Sequence, residues 1–264
     1  MKLYERLGLD RNKQLVIDWR LEGVEKLRRG YRAPEMVAVS KGMDVMDADA
    51  LAFAYFADED SPKARQWGQE TVNLCRDFFF GQWRKDGYQA NKKTFLDEQR
   101  IRREDLWIDQ YRTALFWALV LRDERSLLDF AGYAGDDCYD ESHLDDFAKS
   151  DRAWYIMLAR FVRGEGRAAL KPYAELIESD RKKKPKLLLA ALLAIVTENG
   201  PAFNQALAAY LKYFKAHEFP EPCLQDKFAI DGTILVHLAA RAGLAFEIPS
   251  AYQDHIVRFG EPRA

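Results

Sequence analysis

Apolar residues recur at three- and four-residue steps along most of this chain, and short polar connections cut the pattern into pairs. Met46–Phe56 and Lys63–Phe80 meet across ADEDSP, and Leu106–Leu121 runs through RDER into SLLDFAGYA. Trp154–Val162 runs through RGEG into RAALKPYAELI, and LLLAALLAIV runs through TENGP into Ala202–Phe214. That spacing gathers apolar side chains onto one stripe of an α-helix. Connections this short leave the second helix no slack, so each pair folds back as an antiparallel hairpin. Strand signals are nearly absent, with no convincing alternating β-branched run bounded by Asn-Gly or Asp-Gly. The expected fold is all-α, an irregular stack of antiparallel helical hairpins that forms an α-α superhelix or a bundle.

The turns near Arg122, Arg163 and Glu198 recur at about the period of two-helix solenoid repeats. None carries the full tetratricopeptide or ankyrin pattern, so the repeats are degenerate. Residues 81–105, GQWRKDGYQANKKTFLDEQRIRRED, are polar and contain Gly81 and Gly87. They divide the chain into an N-terminal helical part (1–80), a polar linker (81–105) and a C-terminal helical part (106–264), unless the two parts form one continuous domain.

Hydrophobic residues are 48% and aromatics 13% of 264 residues, enough apolar surface for a core without covalent staples. Lys and Arg number 40 against 42 Asp and Glu, so no global field draws the chain to nucleic acid or an anionic membrane. Cys75, Cys138 and Cys223 form no C-x-x-C pair, which argues against a disulfide framework or zinc knuckle and for a reducing, cytoplasmic setting. The N-terminal MKLYERLGLDRNKQ lacks the uninterrupted apolar core of a secretory signal. The longest apolar run, Leu187–Val196, falls short of the roughly 20 residues that cross a bilayer and is expected to be a buried helix.

No phosphate-binding loop, dinucleotide fingerprint, nucleophile elbow or H-E-x-x-H motif is present, so no cofactor, metal or catalytic residue is assigned. His143, His217, His237 and His255 are widely spaced, and His237 sits in DGTILVHLAARAGL beside an apolar face, as a hydrogen-bonded core imidazole would. The basic run DRKKKPK (Asp180–Lys186) reads as a solvated loop between two helices. Phe78, Phe79 and Phe80 read as core packing or hairpin closure.

One stretch resists a purely structural account. GDDCYDESHLDDF places Asp136, Asp137, Asp140, Glu141, Asp145 and Asp146 together with no Lys or Arg among them. Ser142 and Asp145 resemble a capping box, and acids in a first turn suit the helix dipole. Capping does not require the four acids before Ser142, and the spacing does not match a calcium loop. What remains is an acidic knob suited to a basic partner surface.

Roughly residues 106–257 resemble the bacterial polymorphic-toxin family called Immunity protein 49. Arg122 and Asp123 match an Arg-Asp pair. Phe203 and Asn204 match a Phe-Asn helix, and Ala240, Arg241, Gly243 and Leu244 match the end of the next. Ser250 and Tyr252 match a Ser-x-Tyr, after which family members commonly continue Leu-Pro where this chain has Gln253 and Asp254. The resemblance implies a non-enzymatic protein that binds and neutralises a cognate toxin in the producing cell by stoichiometric protein–protein contact. The acidic stretch is then expected on the toxin-facing surface. A helical-repeat adaptor for another cytosolic protein or peptide is the alternative.

Overall fold

A computed structural model of the chain describes residues 2–9, 21–22, 37–82, 108–133, 146–219 and 224–259. Among these residues the regular structure is helical and no strand occurs, so the fold is all-α, as the apolar spacing predicts. The helices are α1 (Leu3–Arg6), α2 (Val37–Ala57), α3 (Ser61–Phe80), α4 (Ile108–Leu121), α5 (Glu124–Tyr133) and α6 (Asp146–Val162). They continue with α7 (Arg167–Ser179), α8 (Lys183–Val196), α9 (Gly200–Ala216) and α10 (Ile230–Arg241). Short 3-10 turns follow at Gln225–Lys227 and Ser250–His255. The four expected hairpins are present as α2–α3, α4–α5, α6–α7 and α8–α9, each packed against its own partner.

All four hairpins end their first helix in the same way. Glu59, Arg122, Gly164 and Glu198 adopt left-handed backbone, with φ of 61°, 59°, 75° and 53°. In the first turn the Asp60 amide donates to the Tyr55 carbonyl at 2.9 Å and the Glu59 amide to Phe56 at 3.0 Å. The same two bonds run from Asp123 and Arg122 to Ala118 and Leu119, from Glu165 and Gly164 to Arg160 and Phe161, and from Asn199 and Glu198 to Ala194 and Ile195. This is the Schellman arrangement, which satisfies carbonyls that a helix end otherwise leaves open. In three hairpins the next residue at once caps the following helix. Asp60 accepts from the Lys63 amide at 3.2 Å, Asp123 from Ser126 at 3.0 Å and Asn199 from Ala202 at 3.0 Å. A single Asx residue thus closes one helix with its amide and opens the next with its side chain.

The core is a cluster of buried side chains drawn from both sides of residues 81–105. Phe53 of α2 lies 5.3 Å from Phe116 and 5.4 Å from Trp117 of α4, and 5.0 Å from Phe228 beyond α9. Close approach of α3 to α4 depends on Gly68, where a Cβ would fall 2.6 Å from Trp117. Phe78 and Phe79 are buried, and Phe80, 44% exposed, stacks 6.1 Å from Phe130. The aromatic run therefore packs the first hairpin against the second. Each fully buried Phe or Leu contributes about 1.5–3 kcal/mol relative to exposure.

Two features differ from the sequence expectation or complete it. Lys183–Lys186 are not a loop but the first turn of α8, with Pro185 third in that helix where its missing amide costs nothing. The cations that this helix end disfavours are held by acids, Lys182 by Asp151 at 3.0 Å and Lys184 by Asp231 at 2.7 Å. At the C-terminus, Asp254 takes a bidentate pair from Arg6 of α1 at 2.9 and 3.0 Å, which gives the residue after Gln253 a structural task. Among the described residues no helix is long and apolar enough to cross a membrane.

Candidate functional site: an acidic, aromatic-walled cleft

Of the six acids assigned from sequence, Asp136, Asp137, Asp140, Glu141 and Asp145 lie outside the described residues. Asp146 opens α6, and its side chain also lies outside what is described. His143, Cys138 and Cys223 lie outside as well. Cys75 is buried in the core, where desolvation and the Asp49 charge push its thiol pKa well up and leave it inert as a nucleophile. His237 bonds the Val257 carbonyl at 2.9 Å from a largely buried ring, and burial lowers its pKa. It is the core imidazole that its setting suggests.

The residues that carry the family resemblance hold the scaffold. Arg122 and Asp123 form the α4–α5 turn, and Gly243 takes φ of 71° after α10. Phe203 is fully buried, and the Asn204 side chain accepts from the Glu247 amide at 2.9 Å. Arg241 pairs with Glu124 at 3.0 Å, tying the end of α10 to the start of α5.

A cleft of about 490 Å³ opens between α2, α4, the start of α8 and the C-terminal half of α9. His217–Phe219, Gln225, Asp226, Phe228 and the first residues of α10 close its other side. Five carboxylates line it, Asp49, Asp109, Glu218, Asp226 and Asp231, against two cations, Arg112 and Lys184. Tyr210, Tyr213, Phe214, His217 and Phe219 supply much of the wall. Tyr213 and His217 stack at 3.9 Å, one helical turn apart on α9. Met46 and Phe219 stand at the rim 53% and 64% exposed, two of the most exposed large apolar side chains described.

The cleft floor is a network of buried charge. Asp231 is buried, accepts from the Tyr155 hydroxyl at 2.8 Å and pairs with Lys184 at 2.7 Å. Burial pushes the Asp231 pKa up, but Lys184, Arg112 and the Tyr155 hydrogen bond overcome it and leave it below the ordinary carboxylate value. Burial likewise raises the Tyr155 and Tyr210 hydroxyls far above their usual range, with Asp231 adding to the effect, so both stay protonated. Asp49, also buried, accepts from the Trp117 indole at 2.6 Å and from Gln225 at 3.0 Å. Arg112 pairs with Asp109 at 3.3 Å, while its enclosed Nε has no hydrogen-bond partner. Burial opposes the Arg112 charge, yet its pKa is raised, because Tyr155, Asp231, Asp109 and Asp49 surround the guanidinium. Glu218 is held by Lys227 and, at 2.9 Å, by Lys215, and those bonds keep its pKa low.

Gly232 sets the depth of this floor. A Cβ there would fall 2.9 Å from the Tyr210 ring, so glycine lets α9 and α10 close. The hydroxyls and carboxylates can bind and orient a polar or cationic group. Among the described residues no set of three or more His, Cys, Asp or Glu side chains converges as a metal site.

Sequence reasoning passed over these residues. Asp44, Asp47 and Asp49 are all buried on α2, and the run MDVMDADALAF carries a readable signal, acids on the apolar face of a helix. Asp231 gave a similar one, an acid directly before the apolar GTILV. No family model matches the chain, and no curated protein or solved structure matches it either.

Proposed function

We propose that this chain is an immunity protein, a cytoplasmic inhibitor that binds a cognate antibacterial toxin stoichiometrically and performs no chemistry on it. The support is the resemblance over residues 106–257, whose characteristic positions serve as helix ends and inter-helix ties in this fold. A single observation carries the binding half of the reading. A cleft lined by carboxylates and aromatic rings carries exposed Met46 and Phe219 at its rim, while among the described residues the other large aromatics are mostly buried. Apolar anchors beside charge, left uncovered, are what a protein interface presents before its partner arrives.

Co-expression with the product of an adjacent toxin gene tests the reading. Growth should be restored only when the inhibitor is at least equimolar, and the two proteins should elute together at a fixed ratio. Restoration by a small fraction of an equivalent, or a covalently altered toxin, would make the chain an enzyme.

A further inference from the structure

We propose that the cleft between α2, α4 and the C-terminal half of α9 receives a tyrosine side chain from the surface of the partner protein, whose hydroxyl oxygen accepts from Arg112. This rests on the reading of the chain as a toxin-binding protein and names the contact through which it binds. The charges of the lining are already met from within the protein. Lys184 and the Tyr155 hydroxyl serve Asp231, Arg112 meets Asp109, and Lys215 and Lys227 hold Glu218. Trp117 and Gln225 donate to Asp49, and Asp226 is engaged too. A charged side chain entering here sheds its hydration and finds no counter-charge set aside for it, so the cleft suits a neutral occupant.

Arg112 is the group that the protein serves least. Its ion pair with Asp109 runs through Nη2 at 3.3 Å, and its Nε has no hydrogen-bond partner. The side chain is 31% exposed within the lining, so a group in the cleft reaches the guanidinium. A guanidinium only donates, and its complement is an acceptor oxygen. A carboxylate would bring one, but Asp109, Asp49 and Asp231 already act on the same guanidinium and repel a further negative charge. The walls select the body that carries this oxygen. Tyr213, Phe214 and Phe219 offer rings and Met46 a thioether, surfaces that pack a flat aromatic ring better than the short amide stem of glutamine. The rim places that ring on a protein. Met46 and Phe219 are 53% and 64% exposed, and Met43, one turn before Met46, is 54% exposed. A protein surface around the inserted ring buries all three, whereas a free phenol in the cleft leaves Met43 uncovered.

The test titrates the full chain calorimetrically with acetylated, amidated pentapeptides that carry tyrosine, phenylalanine, glutamine, lysine or glutamate between two glycine pairs. A second titration uses the toxin from an adjacent gene. The tyrosine peptide should bind tightest, about tenfold tighter than the phenylalanine peptide, the ratio that one hydrogen bond to a charged donor gives. Arg112→Met should bring the tyrosine peptide down to the affinity of the phenylalanine peptide and leave the latter unchanged. Phe219→Ala with Met46→Ala, both exposed, should weaken these two peptides several-fold and the toxin complex about tenfold. Equal affinity for the tyrosine and phenylalanine peptides overturns the bond to Arg112, and tightest binding of the glutamine peptide overturns the ring. Tightest binding of the lysine or glutamate peptide overturns the neutral occupant. These comparisons use the unaltered chain, so they decide the matter even where Arg112→Met fails to fold. No binding of any peptide at millimolar concentration overturns the proposal outright. A toxin complex unchanged by Phe219→Ala with Met46→Ala overturns the cleft contact while toxin binding stands. Absence of any toxin complex with the unaltered chain overturns the toxin reading, and the peptide series still decides what the cleft takes.

Discussion

In the α8–α9 turn the Asn199 amide reaches back to Ala194 and its side chain forward to Ala202, so the turn is complete within a few residues. In the cleft, Trp117 meets Asp49 across 68 residues, Tyr155 meets Asp231 across 76 and Gln225 meets Asp49 across 176. The turns satisfy polar groups near water, where a lost bond is largely replaced by solvent. The cleft floor satisfies them inside the stack, where a lost partner leaves an uncompensated buried group. The same kind of group, a short Asx side-chain oxygen accepting hydrogen bonds, therefore carries different weight in the two places.

Asp231→Asn should show the largest difference. Removing one member of a buried ion pair strands the other, at about 3 kcal/mol when that other retains some solvent, as Lys184 does. Urea unfolding at pH 7 measures it, and a loss under about 1 kcal/mol would put Asp231 on the footing of an ordinary turn cap. Its pH dependence has a definite sign. The folded pKa lies below the ordinary value of 3.8, so the contribution is full above that pH and is lost as pH falls through and below it. The parent and the variant should therefore converge in stability in strong acid.

The turns should respond less, and with both signs. Asn199→Ala removes a cap and should cost about 1 kcal/mol. Glu198 and Gly164 occupy the same left-handed position in two hairpins, with φ of 53° and 75°. Gly164→Ala should destabilise by about 1 kcal/mol, the cost of left-handed backbone for a residue with a Cβ. Glu198→Gly relieves that cost but frees the unfolded chain, and should leave stability unchanged or raise it by up to about 1 kcal/mol. Thermal melts of the two variants read the contrast, and a shift in the same direction would mean that the turns are not equivalent.

This difference in range also decides what could be read from the sequence. The hairpins were legible because periodicity, a left-handed residue, an Asx cap and an early proline all act within one turn of chain. ADEDSP and TENGP spell most of that grammar in six and five letters. The cleft was not legible, because nothing local to Asp49 says that Trp117 and Gln225 will supply its donors. Lys184 shows the cost of local reading. Within DRKKKPK it looks like one more solvated cation, and only the packing of α8 on α10 assigns it to Asp231. The three acids of MDVMDADALAF were a usable sign, since a carboxylate on an apolar helix face implies a partner without naming it.

The smallest expected effect separates the two regions by pH. His237 lies on α10, as Asp231 does, but faces the C-terminal segment, where Val257 accepts its bond. Burial lowers its pKa most, the Val257 bond works against that, and Arg258 and Arg122 lower it further. A folded pKa below 6.5 means that the unfolded chain binds the proton first. Stability from the neutral ring is therefore present above that value and is lost as pH falls from it through the lowered one. His237→Gln keeps a donor toward Val257 and cannot titrate, so it should flatten the fall in melting temperature between about pH 6.5 and 5. The effect at pH 7.5 should stay within about 1 kcal/mol. Asp231→Asn should leave that slope in place and alter only the more acidic one, because the two groups titrate in separate windows. If His237→Gln changed the profile below 3.8 instead, α10 would be transmitting charge from its scaffold side to its cleft side, and the separation of turn from cleft would not hold along this helix.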